Sequence, residues 1–276
     1  MNRKTTAMAL AVLALGTAAP AAADHHMEAA AHQPIAQALQ AEIRSEDKAR
    51  DMWRHPAETL DFFKVEPGMT VADYMPAGGY YTRILVPYLG TQGRYIGLSP
   101  DPAAADAPRF AEYFTGLPGK FSEESKTWAL DGAPIAVYAS GDLPEAMNGQ
   151  LDRVLIFREM HNILRSGALY TELMRIRSAL KDDGMLGIVQ HRAKADAPGS
   201  YTTGGKGYLR QKDVVALVEA HGFELVAESE INANPKDTAD HEDGVWQLPP
   251  SMRGNDESKR AIGESDRMTL LFRKRA

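Results

Sequence analysis

Short apolar segments typical of strands alternate with amphipathic segments typical of helices along most of this chain. The predicted strands are 69–75, 93–98, 135–138, 151–157, 185–189, 223–231 and 268–272. Strands that alternate with helices need crossover connections, which favour a mostly parallel sheet. The last two strands have no helical segment between them, so the final strand is expected to be antiparallel. We therefore predict an α/β fold with a doubly wound, mostly parallel seven-stranded sheet.

The first 23 residues have the pattern of a secretory signal peptide. Arg3 and Lys4 precede an apolar run at 7–19, and small residues suited to cleavage follow it. The run is short for a membrane span, so we predict cleavage and a periplasmic or secreted protein with no membrane association afterwards. Residues 24–40 are low in complexity and are interpreted as a flexible tether. This leaves residues 41–276 as one domain.

Charge and cysteine content exclude several classes of partner and chemistry. The formal net charge is −6, and loss of Arg3 and Lys4 would make it more negative by two. An acidic protein is a poor non-specific binder of polyanions, so no nucleic-acid partner is expected. The chain has no cysteine, which excludes disulfides, thiolate metal sites and cysteine nucleophiles. A small-molecule substrate fits a chain that has no additional recognition domain.

The segment PAGGYYT, residues 76–82, connects the first predicted strand to a helix. In open parallel sheets ligands bind beyond the carboxyl ends of strands, where small residues and a helix N-terminus expose backbone N–H groups. An acid-x-G-x-G-x-G pattern starting at Asp73 has its third glycine at Gly79, but Met75 and Ala77 occupy the other two positions. A positive φ at Ala77 would cost about 1 kcal/mol. The alternative is a tight strand–helix turn without a ligand.

Acidic residues also follow the second and third predicted strands. Asp101 lies just beyond Ser99 at the end of the second strand, where dinucleotide-type sites place an acid against the ribose hydroxyls. Asp142 follows the third strand. Each has an ordinary structural alternative, because aspartates are common in turns and at helix caps.

The segment FREMHN, residues 157–162, places a cation, an anion, an imidazole and an amide directly after an apolar strand. This density of polar groups is expected in a cleft. Arg158 could hold a carboxylate or orient Glu159, and His161 could act as a general base. His191 ends the neighbouring strand and is expected to face His161. The alternative is a salt-bridged loop; the spacing does not match known metal motifs, so no metal site is predicted.

Five segments in order resemble class I S-adenosylmethionine-dependent methyltransferases, and in particular an exported bacterial group of "predicted methyltransferases". The segments are RHPAETLDFFKVEPGMTV, PAGGYYT, FREMHN, GIVQHRA and AHGFELVAESEINANPKD. The resemblance covers about residues 50–273. It implies a Rossmann-like methyltransferase fold, S-adenosylmethionine as cofactor, and methyl transfer to a small-molecule acceptor. This group usually has glycine where Ala77 stands.

The resemblance assigns roles to the candidate residues. It implies that the cofactor is bound by Asp73, Pro76, Ala77, Gly78, Gly79, Tyr80, Tyr81, Asp101 and Asp142. Asp142 would meet the adenine amino group, and the two tyrosines would offer a cation–π contact to the sulfonium. The catalytic candidates are His161, Arg158, Glu159 and His191, with one of the histidines accepting the acceptor's proton.

Two further hypotheses about function are compatible with the sequence. The chain could be a non-catalytic periplasmic protein that binds a small ligand or a metal on a degenerate methyltransferase scaffold, which Met75 and Ala77 favour. Cleavage after Ala23 would also leave Asp24-His25-His26 at the N-terminus, and a free amine with histidine at position three can bind Cu(II) or Ni(II). The polar, glycine-rich segments 201–207 and 248–265 are each interpreted as either a lid or an ordinary surface loop.

Overall fold

The structure is a computed structural model that describes residues 34–275. Its seven strands are β1 (Thr70–Tyr74), β2 (Arg94–Ser99), β3 (Ile135–Ala139), β4 (Leu151–Phe157), β5 (Leu180–His191), β6 (Phe223–Ser229) and β7 (Arg267–Lys274). Its α-helices are α1 (34–40), α2 (Asp51–Arg54), α3 (Pro56–Phe62), α4 (Thr82–Leu89), α5 (Pro108–Thr127), α6 (Met160–Arg165), α7 (Leu169–Ala179) and α8 (Gln211–Ala220). The predicted signal peptide and the Asp24-His25-His26 terminus lie outside the described residues.

The strands form one sheet in the order β3-β2-β1-β4-β5-β7-β6. β1 is parallel to both β2 and β4, and β4 is parallel to β5. β7 is antiparallel to β5 and to β6. The predicted fold is therefore confirmed, including the antiparallel last strand. The carboxyl ends of β1, β2, β4 and β5 all meet at one edge of the sheet, which is where ligands bind in folds of this kind.

Both faces of the sheet are covered by helices. Successive residues of β4 point to opposite faces, so Val154 and Ile156 join one buried cluster while Leu155 and Phe157 join the other. Helices α6, α7 and α8 complete the first cluster, and α1, α3 and α4 complete the second. No helix within residues 34–275 combines the length and apolar character that a bilayer span requires.

The folded domain begins earlier than the sequence analysis predicted. Residues 34–40, assigned to the tether, form α1, and from Pro34 onward the chain belongs to one compact unit. Ile35 and Ala38 are buried in the second cluster, three residues apart on one face of the helix. Their burial in this cluster, rather than strong helix propensity, explains why this segment is helical.

Strand β5 also begins earlier than predicted. The predicted strand starts at residue 185, but α7 ends at Ala179 and β5 starts at Leu180, which pairs with Leu151. The register of β5 against β4 is irregular at this point. A Cβ atom on Gly184 would lie 2.8 Å from the Leu151 carbonyl oxygen, so the glycine allows close backbone approach there.

Candidate functional site

The loop between β1 and α4 is built from alternating left-handed residues. Met75, Ala77 and Gly79 have φ values of 55°, 48° and 74°. Ala77 therefore has the positive φ that was expected to strain its backbone, and Met75 is strained in the same way. Gly79 cannot be replaced without displacement, because a Cβ atom there would lie 2.1 Å from the Trp128 ring. Met75 and Ala77 thus adopt the left-handed backbone conformation that glycine favours, although neither residue is glycine.

A first cavity of about 460 Å³ lies beside this loop. Its floor is formed by Met75–Gly78, by Ser99 at the end of β2, and by Glu159 after β4. Its other wall is one stripe of α5: Tyr113, Gly116, Leu117, Lys120, Phe121 and Glu124. The volume lies in the range of small-molecule and cofactor sites.

The first cavity offers unpaired hydrogen-bond donors. The backbone N–H groups of Ala77 and Gly78 have no acceptor among residues 34–275. A Cβ atom on Gly78 would have no neighbour within 4 Å, so the backbone here is open to the cavity. Exposed backbone donors in a small-residue loop can bind the polar groups of a ligand that approaches closely.

A second cavity of about 300 Å³ adjoins the first, since Tyr113 and Glu159 line both. It contains the polar residues that follow β4 and β5, and the segment 245–265 closes its far side. Its lining is Tyr113, Arg158, Glu159, His161, Asn162, Arg165, His191, Val245, Trp246, Pro249, Pro250, Ser251, Glu264 and Ser265. PAGGYYT, FREMHN and His191 therefore converge on one two-part cleft, and part of the proposed lid forms a wall of it.

Glu159 lies at the junction of the two cavities. It is the residue before α6, and its carboxylate accepts a hydrogen bond of 2.5 Å from the side-chain amide of Asn162. Burial raises the pKa of Glu159 to about 7, although Asn162 and the arginines at 158 and 165 act in the opposite direction. At neutral pH the group is therefore poised between its protonated and ionised forms.

The two predicted histidines do face each other, with ring centroids 5.7 Å apart. Nδ1 of His191 lies 2.6 Å from the Ser265 hydroxyl, whereas Nδ1 of His161 is buried with no partner among the described residues. Burial lowers the pKa of His161 to about 4 and that of His191 well below its usual value. Both rings are therefore neutral at pH 7 and are weak proton acceptors.

Behind the second cavity lies a group of buried charges centred on Glu264. Its carboxylate is paired with Arg54 at 2.9 Å and with Arg267 at 3.0 Å. These pairs connect the chain before α3 to the start of β7 and hold the loop before β7 against the domain. The arginines keep the pKa of Glu264 low despite its burial, so it is ionised.

Three predicted cofactor-binding residues do not line the first cavity, and two of them have protein partners. Asp73 is buried beneath the loop and accepts a hydrogen bond of 3.0 Å from Tyr95. Asp101 accepts from the Ala103 N–H at 2.9 Å and pairs with Arg175 at 2.7 Å. Asp142 is exposed, and neither it nor Asp101 lines the first cavity. Ser99 occupies the place at the end of β2 that was expected for an acid.

Tyr80 and Tyr81, which were predicted to contact a sulfonium, have aromatic and charged partners within the protein. Tyr80 donates to Asp51, and its ring faces guanidinium groups, the nearest being that of Arg54 at 4.5 Å. Tyr81 stacks on Phe157 with ring centroids 3.5 Å apart. Both tyrosines are buried in the second core cluster and do not line either cavity. They anchor the start of α4 rather than contact a ligand.

The contribution of α5 to the first cavity was not predicted from the sequence. The cavity-lining residues of this helix recur at intervals of three and four, from Tyr113 to Glu124, which places them on one helical face. This spacing is visible in the sequence, but it includes a glycine, a lysine and a glutamate and so does not give an apolar stripe. Trp246, in the long polar loop before β7, was also not identified as a cavity residue.

Solved structures share this fold. A SAM-dependent methyltransferase from Aquifex aeolicus has a TM-score of 0.51 and 16% identity, covering 69% of this chain and 92% of that chain. The [4+2]-cyclase SpnF has a TM-score of 0.52 and 14% identity, covering 91% and 95%. The PH0226 protein from Pyrococcus horikoshii has a TM-score of 0.50 and 11% identity, covering 86% and 93%. No protein-family model and no curated protein sequence matches the chain.

These likenesses define a Rossmann-like methyltransferase fold. One of the three similar proteins is a cyclase by name, so the fold by itself does not fix the reaction. Within residues 34–275, no group of three or more histidine, cysteine, aspartate or glutamate side chains is arranged to hold a metal ion. Any functional assignment therefore depends on the residues of the two cavities.

Proposed function

We propose that this protein is a methyltransferase that uses S-adenosylmethionine and methylates a small-molecule acceptor. The observation that carries the proposal is the pair of adjoining cavities at the carboxyl edge of the sheet, which meet at Glu159. A transferase for a small group needs its donor and acceptor in separate sites that share a boundary, so that the reacting atoms can approach in line.

The residues of the first cavity fit the cofactor in size and chemistry. Its volume of about 460 Å³ is sufficient, Gly78 leaves the loop open, and the free N–H groups of Ala77 and Gly78 suit the carboxylate of an amino acid. Ser99 would take the position near the ribose, because Asp101 is occupied by Arg175. When bound, S-adenosylmethionine supplies a methyl group that a nucleophile can attack.

Glu159 is the best placed proton acceptor. It lines both cavities, so it lies where the acceptor atom must meet the methyl group. Its pKa of about 7 matches the operating pH of a general base, whereas the pKa of His161 is about 4. We therefore assign the base to Glu159 in preference to the histidines. His161 and His191 would instead position the acceptor through their ring nitrogens.

Binding of radiolabelled S-adenosylmethionine tests this proposal. The wild-type protein should bind it, and Gly78→Asp should abolish binding because it places a carboxylate at the cavity wall. A Cβ atom on Gly78 meets nothing within 4 Å, so this variant should fold. Gly119→Asp is the matched control, since Gly119 is equally open but lies outside the lining of the first cavity. Absence of binding to the wild type would refute the assignment.

The non-catalytic alternative has one specific observation in its favour. Met75 and Ala77 adopt left-handed conformations that glycine would adopt without strain, as expected if an ancestral ligand loop had lost its glycines. A protein of this kind would bind a small ligand in either cavity without consuming S-adenosylmethionine. Binding of S-adenosylmethionine followed by transfer of its methyl group to an acceptor, which leaves S-adenosylhomocysteine, would exclude it.

We further propose that the protein is exported, with residues 1–23 acting as a cleaved signal peptide. The support is the charged start, short apolar run and Ala21-Ala22-Ala23 of the sequence. N-terminal sequencing of the protein from a fractionated cell tests it, and the expected first residue is Asp24. The same sample would allow titration with Cu(II), in which replacement of His26 should abolish any tight binding at the new terminus.

A further inference from the structure

The second cavity has an excess of positive charge. Arg158 and Arg165 both line it, and Arg54 and Arg267 lie directly behind it. Glu264 is the fully ionised carboxylate in the group, and it is already paired with Arg54 and Arg267. Two cavity arginines are therefore left without a committed counter-ion.

Arg158 has no side-chain partner in the described part of the chain. No ion pair within 4.0 Å and no side-chain hydrogen bond joins its guanidinium to any residue from 34 to 275. Its backbone is held firmly, since its N–H donates to the Val189 carbonyl at 2.6 Å with φ at 65°. A partly buried guanidinium without a carboxylate is unfavourable unless a ligand completes it.

Polar groups beside Arg158 also lack hydrogen-bond partners in the described part of the chain. His161 is only 4% exposed, yet its Nδ1 has no hydrogen-bond partner among the described residues. The side-chain oxygen of Asn162 is buried and unpaired as well. Buried polar atoms are paired in nearly all proteins, so these two unpaired atoms mark the residues around Arg158 as a polar region whose hydrogen bonding is not completed within the described part of the chain.

The remaining wall of the cavity is lined by aromatic and proline side chains. Trp246 lies edge-on to His161 with ring centroids 5.9 Å apart, and Pro249 lies nearby in the same lining. Tyr113 closes the side shared with the first cavity. Such surfaces suit a planar or ring-containing molecule, which would place its polar end toward Arg158.

From this arrangement we infer that the acceptor is a small molecule bearing a carboxylate or phosphate group, which Arg158 binds directly and Arg165 supports from the exposed side. The planar guanidinium can donate two parallel hydrogen bonds to such an oxyanion. That the bound anion is the methyl acceptor rests on the proposed function. The anion-binding site itself is inferred from the residues of the second cavity alone.

Calorimetric titration with matched pairs of probes tests the inference. The anions are benzoate, 4-hydroxybenzoate, phenyl phosphate and inorganic phosphate, and the neutral counterparts are benzamide, 4-hydroxybenzamide and phenol. At least one anion should bind at least tenfold more tightly than its neutral counterpart. Arg158→Gln should weaken the binding of that anion by tenfold or more. Arg165→Gln should weaken it by a smaller factor, because Arg165 is exposed.

A control variant and a second measurement keep the outcome decisive. Arg94→Gln removes an exposed arginine at the opposite end of β2 and should leave anion binding unchanged. Phenylglyoxal, which modifies free arginines, should label Arg158, and the bound anion should protect it. Equal binding of acids and amides, or undiminished binding by Arg158→Gln, would overturn the inference.

Failure of this inference and failure of the proposed function give different results. Each titration is repeated with S-adenosylhomocysteine present, and the binding of that molecule is measured separately. Cofactor binding without selectivity for anions would leave the methyltransferase proposal standing and remove the anion site. Selective anion binding without cofactor binding would confirm the anion site and refute the methyltransferase proposal. That result would support the non-catalytic alternative.

Discussion

The side-chain amide of Asn162 donates a hydrogen bond of 2.5 Å to a carboxylate oxygen of Glu159. Both residues lie at the start of α6, one helical turn apart, and the Asn162 backbone N–H also donates to the Glu159 carbonyl at 2.9 Å. The carboxylate is therefore fixed at the junction of the two cavities. This hydrogen bond favours the ionised form, which burial disfavours, and together they leave the pKa of Glu159 at about 7.

The pH dependence of methyl transfer follows from this balance. Glu159 must be ionised to accept a proton, so kcat/KM should rise with pH and level off above an apparent pKa of about 7. Glu159→Gln should lower kcat by roughly 100-fold or more and remove this limb, while S-adenosylmethionine still binds. The rate is measured as formation of S-adenosylhomocysteine with an acceptor that the titrations identify. An unchanged limb in Glu159→Gln would show that another group is the base.

Removing the Asn162 amide should shift the same limb. Because its hydrogen bond stabilises the carboxylate, Asn162→Ala should raise the pKa of Glu159 and move the limb upward by roughly one pH unit. Asn148→Ala is a control, since Asn148 is exposed in the loop before β4, at the other end of the sheet. A downward shift would mean that Asn162 does not act through Glu159.

Much of this site could be predicted from the order of the strands. Arg158, Glu159 and His161 follow β4 and His191 ends β5, and parallel neighbours bring their carboxyl ends to one edge. Sequence pattern alone therefore sufficed to place these residues together. It could not decide which of them is a suitable base, because burial at the cavity sets their pKa values and burial depends on the packing around them.

The positions of Asp101 and Tyr81, away from the cavities, could not be predicted for a different physical reason. Asp101 forms an ion pair with Arg175, and the ring of Tyr81 stacks on that of Phe157. Each partner lies more than 70 positions away in the chain. Such contacts depend on how α7 and β4 pack beside β1 and β2, which local patterns do not specify. The start of the domain at Pro34 was missed for the same reason, because packing rather than composition orders α1.

The two adjacent glycines of the loop should differ sharply in tolerance to alanine. Gly79→Ala forces a Cβ atom to within 2.1 Å of the Trp128 ring at a φ of 74°, and should cost about 3 kcal/mol. Gly78→Ala meets nothing within 4 Å and should change stability by less than about 0.5 kcal/mol. Urea denaturation measures both. If Trp128→Ala does not reduce the cost of Gly79→Ala, the clash is not its source.

Arg158→Gln should stabilise the protein even though it impairs anion binding. Burial and the nearby Arg54 and Arg267 cations lower the pKa of Arg158 to about 10, so the folded state disfavours its charge. Because the side chain is partly exposed, the expected gain is about 1 kcal/mol. Thermal unfolding without ligand measures it, with Arg94→Gln as the unaffected control. A loss of stability would indicate a structural role for the guanidinium.

Asp73 should make stability depend on pH in the opposite sense to an ordinary salt-bridged aspartate. Burial raises the pKa of Asp73 to about 7, with the hydrogen bond from Tyr95 opposing the change. The unfolded chain loses this proton near pH 4, whereas the folded protein retains it until about pH 7, so this residue removes stability progressively as pH rises through that window. Asp73→Asn keeps an acceptor for Tyr95 and removes the ionisation. Its stabilising effect in urea denaturation should grow from near zero at pH 4 to about 3 kcal/mol at pH 8. An effect of equal size at both pH values would show that the carboxyl is not protonated in the folded protein, and would remove Asp73 as the buried acid beneath the loop.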